Sequence, residues 1–457
     1  MKTPLLLLPL LFAATALVAE PIEIGNRLEL FVDDHLIAGI DGDAGQQLLR
    51  PDPKEVVLVT DSAWEGNTSG YYGVFRDGDT YKMVYRGWRH DEKMKATHPE
   101  VTCYAESTDG IKWTKPNLGL FEWEGSKENN IIWLGPGCHN FTAILDENPD
   151  APADARFKAL GGSDGKGGLS RGLLPFSSPD CKNWRIAHDD SVITNGAFDS
   201  QNLAFWDTDR KEYRAYWRYF SKDTRVRAIR TATSKDFINW ENEADLAYVE
   251  GTPEQHLYTN AIQKYFRAPH LFVGFPTRYL PKQGQRVEPI LMTSRDGVLF
   301  HRWNEAVIPE EAPKDRKGNR SNYMTWGMFQ LPGKPKEVSV YATENYYERT
   351  PGRVRRFAYR VDGFVALRGG DKGGAVITKA LKYSGQQLLM NYVVREGGSL
   401  TVEALDEAGK IIGKSKPLTG DAVDSAVEWA QDPKLGKGAL KLRFALKNAD
   451  VFSIRFQ

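Results

Sequence analysis

A short phrase occurs four times along this chain and decides the fold. It reads Ser107-Thr-Asp109-Gly-Ile-Lys-Trp113, Ser178-Pro-Asp180-Cys-Lys-Asn-Trp184, Ser234-Lys-Asp236-Phe-Ile-Asn-Trp240 and Ser294-Arg-Asp296-Gly-Val-Leu-Phe-His-Arg-Trp303. The four tryptophans are 71, 56 and 63 residues apart. A motif that returns at a period of about sixty residues indicates one supersecondary unit used repeatedly.

Each phrase follows a β-hairpin and a third strand. Residues 73–85 read as a hairpin around an Asp-Gly-Asp turn, and residues 203–217 and 261–274 repeat the form. A unit with an inserted glycine-rich stretch spans residues 138–184, and a fifth spans 323–367. Five units of three or four strands predict an all-β chain whose residues 20–370 form a five-bladed β-propeller.

We interpret the repeated phrase as structural. A turn aspartate of this kind accepts backbone N–H bonds, and the tryptophan packs between neighbouring blades. The four turn aspartates are therefore poor catalytic candidates. They are Asp109, Asp180, Asp236 and Asp296.

The last fifth of the chain has a different pattern. Gly369-Gly-Asp-Lys-Gly-Gly374 has the composition of a flexible linker. Residues 375–457 alternate apolar and polar positions over short strands, which predicts a small C-terminal β-sandwich. Residues 23–53, with the apolar stretch 28–32, are expected to supply a strand that closes the ring.

The first nineteen residues predict export. Lys2 gives the positive start, residues 5–18 the apolar core, and Ala14-Thr-Ala16 or Leu17-Val-Ala19 a small-residue cleavage site. The run is too short for a membrane-spanning helix, and no lipid-anchoring cysteine follows it. We therefore expect a secreted or periplasmic protein.

Composition narrows the class of partner. Sixty basic residues balance sixty acidic ones, which gives no indication of a nucleic-acid surface. Trp, Tyr and Phe make up 11% of the chain, and such rings serve either as sheet core or as sugar-stacking platforms. The three cysteines, which are Cys103, Cys138 and Cys181, form no disulfide framework; either one pair or three buried thiols is expected. Oligomeric state is not predicted by any of these features.

Candidate acid–base groups lie where the innermost strand of each unit begins, because these strands line the funnel of a propeller. Asp199 is the first choice, since it precedes such a strand and has polar neighbours. Glu254 and Glu65 compete for the role of a second carboxyl group, which glycoside hydrolysis requires across the scissile bond. Arg86 and Arg278 are candidates for binding a uronate or sulfate. The expected substrate-binding residues are Asn67, Tyr71, His139, Asn140, Gln201, His256, Asn260, Arg278, Trp326 and Glu344.

Other chemistries lack their motifs. The sequence has no zinc-type His/Cys spacing, no nucleophile elbow and no phosphate-binding loop. We expect no cofactor and no catalytic metal, although a structural Ca²⁺ ion in the propeller channel is conceivable.

On its hairpins and Ser-x-Asp turns the chain resembles the five-bladed propeller glycosidases, which include arabinanases, invertases and neoagarooligosaccharide hydrolases. A propeller followed by a β-sandwich is similar to the invertase layout. The phrase Leu30-Phe-Val-Asp-Asp-His-Leu-Ile37 resembles exported proteins of polysaccharide-degrading bacteria. The resemblance implies a carbohydrate substrate.

The invertase phrase Trp-Met-Asn-Asp-Pro-Asn is absent, and Trp64-Glu65-Gly-Asn67 occupies the corresponding place. The sequence thus predicts a glycoside hydrolase with Asp199 plus Glu254 or Glu65 as the carboxylate pair. Two alternatives remain open at this point. One is a non-catalytic glycan-binding propeller, and the other is a polysaccharide lyase that uses His256 with Tyr258.

Overall fold

The computed structural model describes residues 20–308 and 323–457. Within them every regular element is a β-strand except one 3₁₀ turn, Ala153–Ala155, and no helix has the length and apolar character to cross a membrane. The chain is all-β, as the sequence predicts. Residues 1–19, where the signal peptide is expected, lie outside the described residues.

Five small sheets follow one another along the chain, and we number them in that order. Sheets 1 to 3 are four-stranded antiparallel meanders. Sheet 1 contains Gly70–Asp77, Thr80–Gly87, Val101–Ser107 and Ile131–Leu134. Sheet 2 contains Gly137–Leu145, Phe157–Asp164, Arg171–Ser178 and Arg185–Ile186. Sheet 3 contains Leu203–Asp207, Glu212–Phe220, Arg227–Ser234 and Trp240–Asp245.

Sheets 4 and 5 depart from this pattern. Sheet 4 contains Ala247–Tyr248, His256–Leu257, Gln263–Tyr265, Ala268–Gly274, Thr277–Leu280, Arg286–Ser294 and Leu299–Ala306. Sheet 5 contains Glu337–Glu344, Arg353–Arg360 and Asp52–Val59. The third strand of sheet 5 thus comes from the other end of the propeller region, which closes the ring.

The innermost segments of the sheets are joined to one another by hydrogen bonds. The Trp326 N–H donates to the Tyr72 carbonyl at 3.0 Å, and the Val74 N–H donates to the Trp326 carbonyl at 2.7 Å, which joins the segment before sheet 5 to sheet 1. Gln201 donates across to the Tyr72 carbonyl at 2.9 Å. The Trp326 indole donates to the Ile262 carbonyl at 3.0 Å. These bonds make the propeller-like arrangement, in which the five inner segments converge.

The four Ser-x-Asp turns have the structural role that the sequence predicts. In each, the aspartate Oδ1 accepts two backbone N–H bonds of 2.7–2.9 Å. The following residue is left-handed, with φ between 67° and 80°, and in two copies it is Cys181 or Phe237. Glycine would avoid that strain, but burial of these side chains at 0% and 2% exposure offsets it.

The turns also contact the neighbouring sheet. Tyr341 of sheet 5 donates its hydroxyl to the Gly110 carbonyl at 2.7 Å, and Tyr216 of sheet 3 donates to the Gly297 carbonyl at 2.9 Å. The fourth tryptophan, Trp303, differs because it lies three residues further along. Its indole donates to the Val32 carbonyl at 3.1 Å and so joins sheet 4 to the N-terminal segment.

The C-terminal β-sandwich contains strands from both ends of the described chain. Its ten strands are Ile22–Gly25, Glu29–Leu30, Ile37–Leu48, Val365–Thr378, Leu381–Ser384, Leu388–Leu405, Ile411–Ser415, Asp421–Ala426, Trp429–Gln431 and Lys437–Phe456. The long strands bend at irregularities such as Val394/Ser399 and enclose a separate hydrophobic core.

Two expectations are corrected here. The predicted flexible linker 369–374 is wrong, because it lies inside the strand Val365–Thr378, where its glycines form an irregularity opposite Ile37–Leu48. Most of segment 23–53 pairs with the sandwich, and Asp52–Val59 closes the ring instead. Cys103, Cys138 and Cys181 are three free, buried thiols.

Candidate functional site

A cavity of about 380 Å³ opens where the five inner segments converge. All five sheets, with the loops and segments that adjoin them, contribute side chains. Its lining is Gly70, Tyr71, Tyr72, Arg86, Trp88, His139, Asp199, Gln201, Arg227, Tyr258, Thr259, Tyr279, Gln285, Val287, Tyr323, Met324, Thr343, Tyr346 and Tyr347. Asp199 is the single carboxylate in this set, and seven of the lining residues are tyrosines.

Asp199 is held by donors from three other parts of the ring. Its Oδ1 accepts from the Tyr71 hydroxyl at 3.2 Å and from His139 Nε2 at 2.9 Å. Its Oδ2 accepts from the Tyr258 hydroxyl at 3.2 Å, and the Arg218 guanidinium lies 3.8 Å away. The enclosing protein acts to raise the pKa of Asp199. The hydrogen bond and charge of His139, with the charge of Arg218, outweigh this effect and hold the pKa well below its ordinary value. The carboxylate is therefore ionised.

His139 lies between two carboxylates. Its Nε2 faces Asp199, and its Nδ1 lies 2.7 Å from Oε1 of Glu100. Burial acts to lower the pKa of His139, but the hydrogen bonds to Asp199 and Glu100 outweigh burial and raise it above 6.5. The same contact lowers the pKa of Glu100 against the effect of its own burial. His139 thus retains a proton at pH values where an ordinary histidine has lost it.

Local backbone geometry directs Tyr71 into the cavity. The first strand of sheet 1 is irregular between Gly70 and Gly73, and Tyr71 adopts a left-handed φ of 54° there. The irregularity turns the ring over Arg86, whose Cζ lies 4.8 Å from its centroid. Trp88 packs against the same guanidinium at 4.9 Å. Strain of this kind at a cavity wall is a feature of functional sites.

Side-chain hydrogen bonds fix the backbone of the loop that carries Asp199. Asn140 and Asn202 both donate side-chain N–H groups to the Phe198 carbonyl, Asn202 at 3.0 Å. Ser200 donates its hydroxyl to the Tyr258 carbonyl at 2.7 Å. These buried amides act on the backbone next to Asp199, so they position the carboxylate without lining the cavity.

Six residues named from the sequence line the cavity: the predicted site residues Asp199, Tyr71, His139 and Gln201, together with Arg86 and Tyr258. The predicted carboxylates other than Asp199 lie elsewhere. Glu65 is fully buried and bonds to the Tyr85 hydroxyl at 2.5 Å and to Lys115 at 2.8 Å. Glu344 is buried between Arg353 and Arg355, each at 2.7 Å. Glu254 is exposed and accepts from the Thr224 hydroxyl at 2.7 Å.

The remaining predicted binding residues also lie outside the lining. Asn67 donates to the carbonyls of His90 and Glu348 at 3.2 and 2.7 Å. Asn140 holds the Phe198 carbonyl, as described above. Asn260 is buried and donates to the Gln201 carbonyl at 3.3 Å.

The cationic and aromatic candidates also make their contacts within the protein. His256 Nδ1 accepts the Arg227 backbone N–H at 3.1 Å. Arg278 pairs with Glu288 at 2.7 Å. Trp326 is packed in the core and joins the inner segments. Arg86 does line the cavity, but Glu100 lies 3.6 Å from its guanidinium.

Several functional groups were not among the sequence candidates. Glu100, Arg218, Arg227 and Tyr346 come from second or third strands, or from loops beyond them, and no motif marks them. Side chains alternate between the two faces along the strands Glu212–Phe220 and Arg227–Ser234. This alternation could have indicated arginines at the strand ends that face the cavity. Among residues 20–308 and 323–457, no group of three or more His, Cys, Asp or Glu is arranged to hold a metal ion.

Comparison with known proteins gives likenesses in structure alone. No protein-family model matches the chain, and no curated protein matches it. One solved structure that it resembles, a glycoside hydrolase, has 14% identity and a TM-score of 0.48, with 68% of this chain and 92% of that chain covered. A glycoside hydrolase family 43 arabinoxylan arabinofuranohydrolase from Bacillus subtilis has 11% identity and a TM-score of 0.44, with 87% and 97% covered. An endo-arabinase from Bacteroides thetaiotaomicron has 9% identity and a TM-score of 0.43, with 67% and 98% covered. At these values nothing about the site of this chain follows from the likenesses.

Proposed function

We propose that this protein is a glycoside hydrolase that acts outside the cytoplasm, with its reacting centre in the Asp199 cavity. One observation carries the proposal. A single ionised carboxylate, held by side chains from several sheets, stands in a concave pocket lined by aromatic rings and polar groups. Rings that stack on sugar faces and a preorganised carboxylate are two of the features that glycosidase sites use.

Hydrolysis adds water across the bond between the anomeric carbon and the leaving oxygen. The leaving oxygen must gain a proton, and the water must lose one. We assign proton donation to His139, whose raised pKa keeps it charged and whose Nε2–H turns from Asp199 to the leaving oxygen when a sugar enters the cavity. Loss of that hydrogen bond makes Asp199 more basic, and we assign to it acceptance of the proton from the attacking water. The two groups share a hydrogen bond of 2.9 Å, so protonated Asp199 can return its proton to neutral His139 and restore the starting state.

The second carboxyl group of a two-carboxylate mechanism remains a prediction. Glu65 is enclosed by Tyr85 and Lys115 and does not line the cavity, so we assign it no step of the reaction. Glu254 is exposed, and it precedes Tyr258 by only four residues. It is therefore the candidate that a mutational test must compare with His139.

The lyase alternative is less well supported. It requires a tyrosine or histidine base, and the predicted pair was His256 with Tyr258. Burial and the charge of Asp199 raise the pKa of Tyr258, so this phenol keeps its proton. His256 lies outside the cavity lining.

The test is a screen of plant and algal oligosaccharides for new reducing ends, followed by Asp199→Asn on the best substrate. We expect a loss of about 10²- to 10⁴-fold in kcat with the fold intact. Asp236→Asn, in a Ser-x-Asp turn, is the matched control and should keep the wild-type rate. Oligosaccharide binding without cleavage would favour the glycan-binding alternative, and products with an unsaturated ring would identify a lyase.

A further inference from the structure

Of the three guanidiniums around the cavity, one has no carboxylate partner among the described residues. Two guanidiniums stand close to two carboxylates, with Arg86 3.6 Å from Glu100 and Arg218 3.8 Å from Asp199. Arg227 also lines the cavity, and no described carboxylate in residues 20–308 or 323–457 lies within 4.0 Å of it. His139, which carries a proton when Asp199 and Glu100 face it, adds to the positive charge.

The neighbours of Arg227 hold it in place without neutralising it. Its Cζ lies 4.9 Å from the Tyr279 ring centroid and 5.4 Å from that of Tyr258. Its Nε is buried and makes no hydrogen bond within the described structure. His256 Nδ1 accepts the Arg227 backbone N–H, and burial with the Arg227 charge lowers the pKa of that imidazole. The nearby Glu254 carboxylate bonds instead to Thr224.

We infer that the cavity binds an acidic sugar whose anionic group pairs with Arg227. This inference rests on the proposed function and names the class of its substrate. A planar guanidinium binds a carboxylate or sulfate through two parallel hydrogen bonds, and two tyrosine rings hold this one ready. Because the Tyr258 hydroxyl also bonds to Asp199 at 3.2 Å, the anionic site and the reacting centre share one wall.

The sequence alone indicates Arg86 or Arg278 for this role. Arg278 pairs with Glu288 and with the Asn304 carbonyl, both away from the cavity. Arg86 is held by Glu100, Thr68 and Tyr346. Pairing with an internal carboxylate removes the attraction for an external one, so Arg227 takes the role.

The test measures binding, which is independent of cleavage. Isothermal titration of the whole chain would compare galacturonate and glucuronate with galactose and glucose, and galactose 6-sulfate with galactose. We expect each uronate, or the sulfated sugar, to bind at least about tenfold more tightly than its neutral counterpart. Arg227→Gln should weaken acidic-sugar binding by about 10- to 100-fold, the range for a lost charge-assisted hydrogen bond, and leave neutral-sugar binding unchanged.

Arg225→Gln is the matched control, because Arg225 lies two residues away, is exposed and does not line the cavity. Arg227→Lys should keep part of the preference, since it retains the charge without the guanidinium fork. Tighter binding of the sulfated sugar than of the uronates would identify sulfate as the anionic group.

Equal binding of acidic and neutral sugars by the wild-type chain would overturn the inference, as would failure of every acidic sugar to bind. An equal loss in the Arg225 variant would also overturn it. These failures differ from failure of the proposed function. Asp199-dependent cleavage restricted to neutral oligosaccharides would support the hydrolase proposal and contradict the acidic substrate. Uronate binding without any cleavage would support the acidic ligand and contradict the hydrolase proposal.

Discussion

Asp236 follows a strand and Asp199 precedes one, and both are ionised, yet the two aspartates are held in opposite ways. Asp236 accepts the backbone N–H groups of Ile238 and Asn239 at 2.9 and 2.7 Å, all within three residues. Asp199 accepts from side chains 59 to 128 residues away. A carboxylate satisfied by its own turn has a structural role. One satisfied by distant side chains around a cavity is available for chemistry.

The pKa values reflect the same contrast. Burial acts to raise the pKa of Asp236, and the backbone hydrogen bond from Asn239 leads the effects that lower it to about 2. For Asp199 the lowering comes from His139 and Arg218. Ionisation of Asp236 thus stabilises a turn, whereas ionisation of Asp199 depends on a second titratable group in the same cavity.

The largest expected effect on kcat comes from substitution of His139. His139→Gln removes the proton donor, so kcat should fall by about 100-fold or more. In the wild type, kcat should stay constant from about pH 5 and decline as the pH rises through the raised pKa of His139, because the neutral imidazole has no proton to donate. A pH–rate profile should lose this alkaline decline in the variant.

The control is His188→Gln, because His188 is exposed and lies outside the cavity lining. It should keep both the rate and the pH profile. An unchanged alkaline decline in His139→Gln would assign it to another group.

The next effect is on stability and concerns Glu65. Glu65→Gln leaves Lys115 without its buried partner, and the free energy of unfolding should fall by about 3 kcal/mol. Because Glu65 lies outside the cavity, kcat should be unchanged. Chemical denaturation checks the first value and reducing-end release the second. Asp61→Asn, on the exposed partner of the same Lys115, should cost less than about 1 kcal/mol. A large loss of kcat in a folded Glu65→Gln chain would restore Glu65 as a catalytic candidate.

A smaller effect on stability is expected for the turn aspartate Asp236. Asp236→Ala removes the acceptor of two backbone N–H groups, which resembles the loss of a helix cap and should cost about 1–2 kcal/mol. The midpoint of denaturation should shift while kcat stays at the wild-type value. Asp79→Ala, at a fully exposed side chain, should leave the midpoint of denaturation unchanged. Equal midpoints for the two variants would count against the structural role of the turn.

The smallest expected effect concerns Glu254. Glu254→Gln removes an exposed carboxylate that bonds to Thr224, and kcat should change by less than about threefold if His139 is the proton donor. A loss comparable to that of Asp199→Asn would instead establish the two-carboxylate mechanism. Steady-state rates of the two variants on one substrate decide between these mechanisms.

The same contrast explains which features the sequence could predict. The Ser-x-Asp turns, the hairpins and the all-β class depend on neighbours within a few residues, and they were predicted. Asp199, Tyr71, His139 and Gln201 were found because they precede or begin inner strands, where a repeat places the funnel.

The remaining features depend on long-range pairing. Arg227 and Glu100 reach the site from outer positions, so only the three-dimensional arrangement shows that one is uncompensated and the other supports His139. Gly369 to Gly374 has a linker composition, yet it pairs with strands of both chain ends. Local composition cannot predict such a partner.

The catalytic role of Asp199 is tested by comparing Asp199→Asn with Asp236→Asn on one oligosaccharide that the wild-type chain cleaves. Both variants remove one carboxylate charge and keep the side-chain shape. A catalytic role of Asp199 predicts that Asp199→Asn loses about 10²- to 10⁴-fold in initial rate of reducing-end release while Asp236→Asn keeps the wild-type rate. A wild-type rate in a folded Asp199→Asn chain would contradict it.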